Sequence, residues 1–282
     1  MSVYLPSPSG DTLRGTKIKR MPTSETTPLP PLTAWQALAL RLSAFRRPQP
    51  KIEQTTWWTD LVGHPPDKVT SQPKLGLHQE EGLFASTKLS LQLQLDRVDW
   101  TLAPDTDAPS ENFELPTLGP FPDALATFTK LTGQWLTVAP PITRLAFGAF
   151  LSQPVDDHQA GYRLIDRYLP KVTLDPEGIS DFLYQINRPR TSRSGVPSLK
   201  INRLMKWSVM LFSGLSVTIT VGPGSAPATT SNPVVRYAGR LELDINTVPD
   251  PTGTELPREV MPSLLQELVE LGRQIAAEGD VP

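Results

Sequence analysis

The run LSLQLQLDRVDWTLAP, residues 89–104, limits the fold more than any other stretch of the chain. Leu89, Leu91, Leu93 and Leu95 alternate with Ser90, Gln92 and Gln94. That period of two places every leucine on one side of a strand, which a helix cannot do. Asp96–Arg97 turns the chain, and Val98, Trp100 and Leu102 alternate on the way back. The pattern predicts a β-hairpin with one apolar and one polar face. The apolar face needs a second layer to cover it, and the remaining sequence offers helices for that layer.

Pro122 opens a helical stripe through Leu125, Phe128, Leu131 and Trp135. ITRLAFGAFL (142–151) reads as a buried strand. Residues 156–169 form a helix capped by Asp156 or Asp157 and stopped by Pro170. Strands dominate from Asp181 to Asp250, including LSVTITVG at 215–222. A closing helix at 256–277 carries Leu264, Leu268, Leu271 and Ile275, with Gly279 as its stop. The expected class is α+β, with antiparallel or mixed sheets, interspersed helices and two split-βαβ-like halves. Residues 51–282 make up this domain, and the halves divide near 152–180. Residues 1–31, rich in Pro, Ser and Thr, read as a disordered leader. Residues 32–50 read as an amphipathic helix and linker, because Trp35, Leu38, Leu42 and Phe45 recur at spacings of three and four. Such a helix packs on the core or docks in a partner's groove.

Cysteine is absent, which removes disulfides, thiolate metal sites and a cysteine nucleophile from consideration. A cytoplasmic setting is the expectation, and the run 32–45 is too short to span a bilayer. No phosphate-binding glycine loop, dinucleotide fingerprint, nucleophile elbow or zinc-protease motif occurs, and no cofactor is expected. His64, His78 and His158 are the only histidines, too far apart in sequence for a local metal site. His78 beside Glu80 and Glu81 is an acid–base candidate, though a polar loop explains it as well. Asp175, Glu177 and Asp181 are the carboxylate cluster a metal-dependent enzyme would need, but DPEG is already explained as a turn. Trp57–Trp58 could stack a ligand or supply a core residue.

Charge is segregated along the chain. The net charge is −2, yet residues 182–241 contain no Asp or Glu and eight Lys or Arg. Residues 250–282 carry seven acids against two bases. The segment YQINRPRTSRSGVPSLKINRLMKW holds Arg188, Arg190, Arg193, Lys200, Arg203 and Lys206, and it repeats the triplet INR. Three readings stay open: a solvated loop, an anion-binding strand–loop–strand, or a face neutralised by the acidic C-terminal helix. In the second, the arginines grip phosphates and Tyr184 and Trp207 stack bases. The leading expectation is a non-enzymatic binding protein for nucleic acid or an acidic partner. A protein–protein subunit docking through the 32–45 helix, and a carboxylate-dependent enzyme, are its rivals.

At YRLIDRYLPKVTLDPEGISDFLYQINRPR, INRLMKW and LSLQLQLDRVDWTL, the chain resembles a sporadically distributed bacterial family of uncharacterised proteins, often found near mobile elements or defence genes. Trp100, closing the hairpin, and Asn187, within a later strand, match that family's pattern. The resemblance implies an α+β fold and a cytoplasmic setting, with no assigned activity and no catalytic residues to carry over.

Overall fold

The hairpin expected at 89–102 lies within a much wider sheet. The structure, a computed structural model, describes residues 28–53, 55–106, 115–214, 217–218, 229–230 and 234–281. Most of the expected leader and most of the expected strand at 215–222 lie outside these residues. The strands are β1 (Gln36–Phe45), β2 (Lys68–Gln72), β3 (Leu77–Phe84), β4 (Thr87–Gln94), β5 (Arg97–Ala103), β6 (Arg144–Val155), β7 (Leu183–Asn187), β8 (Arg190–Thr191), β9 (Lys200–Gly214), β10 (Val217–Thr218), β11 (Thr229–Thr230) and β12 (Val234–Thr247). The helices are α1 (Trp57–Val62), α2 (Phe121–Val138), α3 (His158–Tyr168) and α4 (Met261–Glu278). Ten strands join in one antiparallel sheet in the order β2-β3-β4-β5-β1-β6-β12-β9-β7, with β8 on β9, so the fold is α+β.

The chain follows one path twice. Each half lays down a central strand, crosses by a helix to the far edge, returns strand by strand, and ends in a long helix. In the first half β1 is central and β5 returns beside it; in the second β6 is central and β12 returns beside it. The halves meet where β1 and β6 pair antiparallel, with Arg41 opposite Gly148. Residues 152–180 hold the end of β6, α3 and the connection to β7, and the sheet continues across them.

Alternation decides what each face carries. Leu89, Leu91 and Leu93 of β4, Val98, Trp100 and Leu102 of β5, and Leu241, Leu243 and Ile245 of β12 are buried on one face. All four helices cover that face. Trp58 of α1 stacks on Trp100, and Trp135 of α2 meets Trp100 edge-on. Gly272 of α4 sits over Phe147 and Leu243, and a Cβ there would lie 3.0 Å from the Phe147 ring. Gly161 of α3 lets the helix approach Val209 closely, and Gly239 does the same beneath Leu164. Asp157 caps α3, accepting from the Ala160 amide at 2.7 Å.

The helix expected at 32–45 is instead a short 3-10 turn (Leu32–Ala34) followed by β1, in the middle of the sheet. Leu40, Leu42 and Ala44 point to the helices, while Arg41 is exposed on the other side. The register shifts between Ala37 and Ala39, and the apparent helical stripe joins residues of both faces: Trp35 and Leu42 are buried towards the helices, whereas Phe45 lies beneath Arg97 and Arg144 on the other side. Paired on both edges, this segment cannot serve as a docking helix. Among the described residues no helix is long and apolar enough to cross a membrane.

Candidate functional site

The acid-free segment folds as β7, β8 and β9 at one edge of the sheet, and acids from the C-terminal segment meet it there. Arg188 donates from Nε and Nη2 to the Asp280 carboxylate, the latter bond at 2.6 Å, and Tyr184 donates to the same carboxylate at 2.7 Å. Asp280 is 1 % exposed. The Arg188 guanidinium holds the Asp280 carboxyl below the usual carboxylate range and is itself pushed up by it. Burial, and then the Asp280 carboxylate, raise the Tyr184 phenol. Arg203, 3 % exposed, faces the helices and donates to the Val281 carbonyl at 3.2 Å. Burial lowers its pKa, and neighbouring Arg190 and Arg188 add to the shift.

The other cations disperse. The Arg193 amide and the Ser192 hydroxyl both donate to Glu267 of α4. Arg190 and Arg193 line one groove together with Glu267 and Glu270, and Lys200 lines a separate cleft with Asp250 and Glu255. Lys206 projects from the opposite face, 3.2 Å from Glu242. The six cations of the expected strand–loop–strand surface are thus divided: Arg188, Arg190, Arg193 and Arg203 lie on the helix side among the acids of the C-terminal segment, and Lys206 lies on the opposite face. Of the expected stacking residues, Tyr184 is bonded to Asp280 and Trp207 is in the core. Trp207 is fully buried, stacked on Tyr168 at 5.1 Å between ring centroids and meeting Trp35 edge-on. The segment has no acids of its own, but Glu267 and Asp280 reach it from far along the chain.

The repeated INR has a structural counterpart. Ile186 and Ile201 face the core, and so does Ile245 in the third Ile-Asn pair, on β12. The asparagines emerge on the helix-free face and bond in series. Asn187 donates to Asn202 at 2.9 Å, Asn202 to Asn246 at 3.1 Å, and Asn246 to Asp244 at 2.9 Å. The Arg203 amide closes the outer end by donating to Asn187 at 3.0 Å. A one-residue slip would turn every asparagine into the core, so the ladder fixes the register of three strands.

The sequence did not point to the helix-free face. Arg41, Arg97, Arg144, Lys206, Arg236 and Arg240 project from it, with Lys68 and Lys88 towards the β2 edge. Its acids are Glu81, Asp99, Glu242 and Asp244, with Asp105 in a groove beside Lys68 and Lys88. Bases therefore outnumber acids. Asp99 accepts from the Ser43 hydroxyl and lies 2.7 Å from Arg97 Nε. Glu242 is 2.7 Å from Arg240 and also meets Lys206. Arg97 and Arg144 both lie over the Phe45 ring, and Arg240 lies over Phe150. Arg41, exposed at the junction of the halves, has no ion pair among the described residues. Between these charges stand hydroxyls and amides: Thr70, Gln79, Ser90, Gln92 and Thr101 on one side, Gln185, Asn202 and Ser208 on the other. Alternation selects this face only when the strand periods are combined with the sheet order, which local sequence does not reveal.

The acid–base candidate and the carboxylate candidate fare differently. His78 Nε2 does meet Glu80 Oε1 at 3.1 Å, on the helix-covered side of β3. Asp175 caps its own turn, accepting from the Glu177 amide at 3.2 Å. Among the described residues no three His, Asp or Glu side chains are placed to hold a metal ion. Trp58 is core, and Trp57 packs edge-on against Trp135. No protein-family model matches this chain, and no curated protein matches it either.

Proposed function

We propose that the chain is a binding protein that holds the phosphate backbone of a nucleic acid against the helix-free face of its sheet. The observation that carries this reading is Arg41: an exposed guanidinium with no ion pair among the described residues, at the centre of a face where bases outnumber acids. Arginine grips phosphate with two parallel hydrogen bonds. The surrounding Ser, Thr, Asn and Gln side chains are the neutral donors that accompany such contacts. Glu267 and Asp280 of the C-terminal segment lie on the other side, at α4 and the β7 edge. An anionic polymer therefore meets net positive charge on this face, although the whole chain is at −2.

The test is fluorescence anisotropy with a labelled 20-base-pair DNA duplex and a single strand of equal length, titrated over a range of salt. Affinity for at least one form should fall with salt, with a log–log slope of about −0.9 per phosphate neutralised on duplex. Arg41→Glu should weaken it about tenfold or more. If neither probe binds at low salt, or Arg41→Glu binds like the parent, the reading fails.

A further inference from the structure

The large sheet ends in two outer strands with unlike edges. β2 is guarded: Pro65 and Pro66 precede it, Pro73 follows it, and Lys68 lies within it. Proline and lysine at such positions keep an outer strand from pairing with another chain. β7 has neither, and its five residues, LYQIN, carry no charge. No described strand pairs with its outer side.

The register shows which groups of β7 are free. Just past its end, the Arg188 amide donates to the Arg203 carbonyl at 3.2 Å, and Tyr184 and Ile186 fall in the same phase of the antiparallel ladder. The amides and carbonyls of Leu183, Gln185 and Asn187 therefore point away from β9, to the open side. The side chains of these three residues are exposed on the helix-free face, Leu183 at 60 %. Tyr184 and Ile186 are only half-buried on the helix side.

This edge is complementary to itself. An antiparallel strand centred on Gln185 sets Leu183 opposite Asn187 of a second copy and Gln185 opposite its own equivalent, so all three outward residues bond at once. Tyr184 then meets Ile186 of the second copy, an aromatic and β-branched cross-strand pair. Pro189 has no amide to donate, which stops the pairing at one end, and twofold symmetry stops it at Asp181 at the other. Asp181 of each copy thereby comes to the Pro189–Arg190 end of the other, and Arg190 has no ion pair among the described residues.

We infer that two copies of this chain pair through β7 into one continuous sheet, with their helix-free faces on the same side. The inference is independent of what those faces bind. Five residues make a small interface, so the dimer should dissociate on dilution. Sedimentation equilibrium of the full chain should give twice the monomer mass at high concentration. Gln185→Lys sets like charges opposite each other and should weaken association about tenfold or more, and Gln185→Glu should do the same. The two variants mixed should associate again, which a folding defect would not allow. The chain has no cysteine, so single cysteines test the register. Across the twofold axis the Gln185 Cα atoms would lie about 5.5 Å apart, within disulfide range, and mild oxidation of Gln185→Cys should link the chains. Leu183→Cys, roughly 14 Å from its equivalent, should stay unlinked. A chain that is monomeric at every concentration leaves the edge to a strand of another protein and overturns the inference. So does a dimer indifferent to Gln185→Lys, a mixture of the two charge variants that fails to associate, or equal linking of both cysteines.

Discussion

The basic edge strands and the helix-free face are both rich in arginine, and they differ in what reaches them. At the edge, Asp280 and Glu267 arrive from the C-terminal segment and engage Arg188 and the 192–193 loop. Arg203 is turned inwards. On the helix-free face no described segment covers Arg41, which is exposed. A cation's role therefore depends less on the local density of like charges than on the side of the strand from which it projects. Charges on the helix side are drawn into pairs, because an unpaired buried charge is costly. On the bare side Arg97, Arg240 and Lys206 are paired as well, and Arg41 stays exposed with no ion pair among the described residues.

The comparison breaks most readily at Asp280. Asp280→Ala should destabilise the fold by about 3 kcal/mol, because Arg188 loses its buried partner. For a chain of this size that corresponds to a fall of roughly 6–12 °C in Tm by calorimetry. Affinity for nucleic acid should hold; a matching loss of binding would show that the edge, not the face, makes the contact. The same pair has a pH signature. The folded-state Asp280 carboxyl titrates below its unfolded value, so its stabilisation is complete above the ordinary carboxylate range. It is lost as pH falls through the folded pKa. Stability curves of the parent and Asp280→Asn should therefore stand apart above the ordinary carboxylate range and draw together as pH falls through the folded pKa of Asp280.

Smaller effects sharpen the contrast. Asn246→Ala breaks the ladder at a buried position and should cost about 1–2 kcal/mol in urea unfolding, more than Asn187→Ala at the exposed end. Arg41→Glu should change stability by less than about 0.5 kcal/mol while producing the largest change in anion binding. Lys200→Ala should do neither. An Arg41→Glu protein that unfolds early would mean that the bare face is structural after all.

Much of the fold is legible in the residues. The leucine alternation of 89–95 identifies β4, and the Leu264, Leu268, Leu271, Ile275 stripe identifies α4, because each period matches one geometry only. The first strand escaped because apolar residues on both of its faces, Leu42 on one and Phe45 on the other, fall by chance at helical spacing, and its pairing partners, β5 and β6, lie more than fifty residues away. The role of the cationic segment escaped for a related reason. Its charges are visible in sequence, but their counter-charges come from Glu267 and Asp280, and no local pattern announces those contacts.

By itself, then, the sequence determined the strand and helix periods, the α+β class and the uneven distribution of charge. Those follow from composition and local geometry, which each segment carries with it. Only the tertiary structure decided that residues 36–45 are a central strand, that Trp207 is core, and that the three Ile-Asn pairs form one ladder. It also decided which arginines remain unpaired. These outcomes depend on which strand lies beside which and on which face the helices cover, and both are set by contacts between residues distant in the chain.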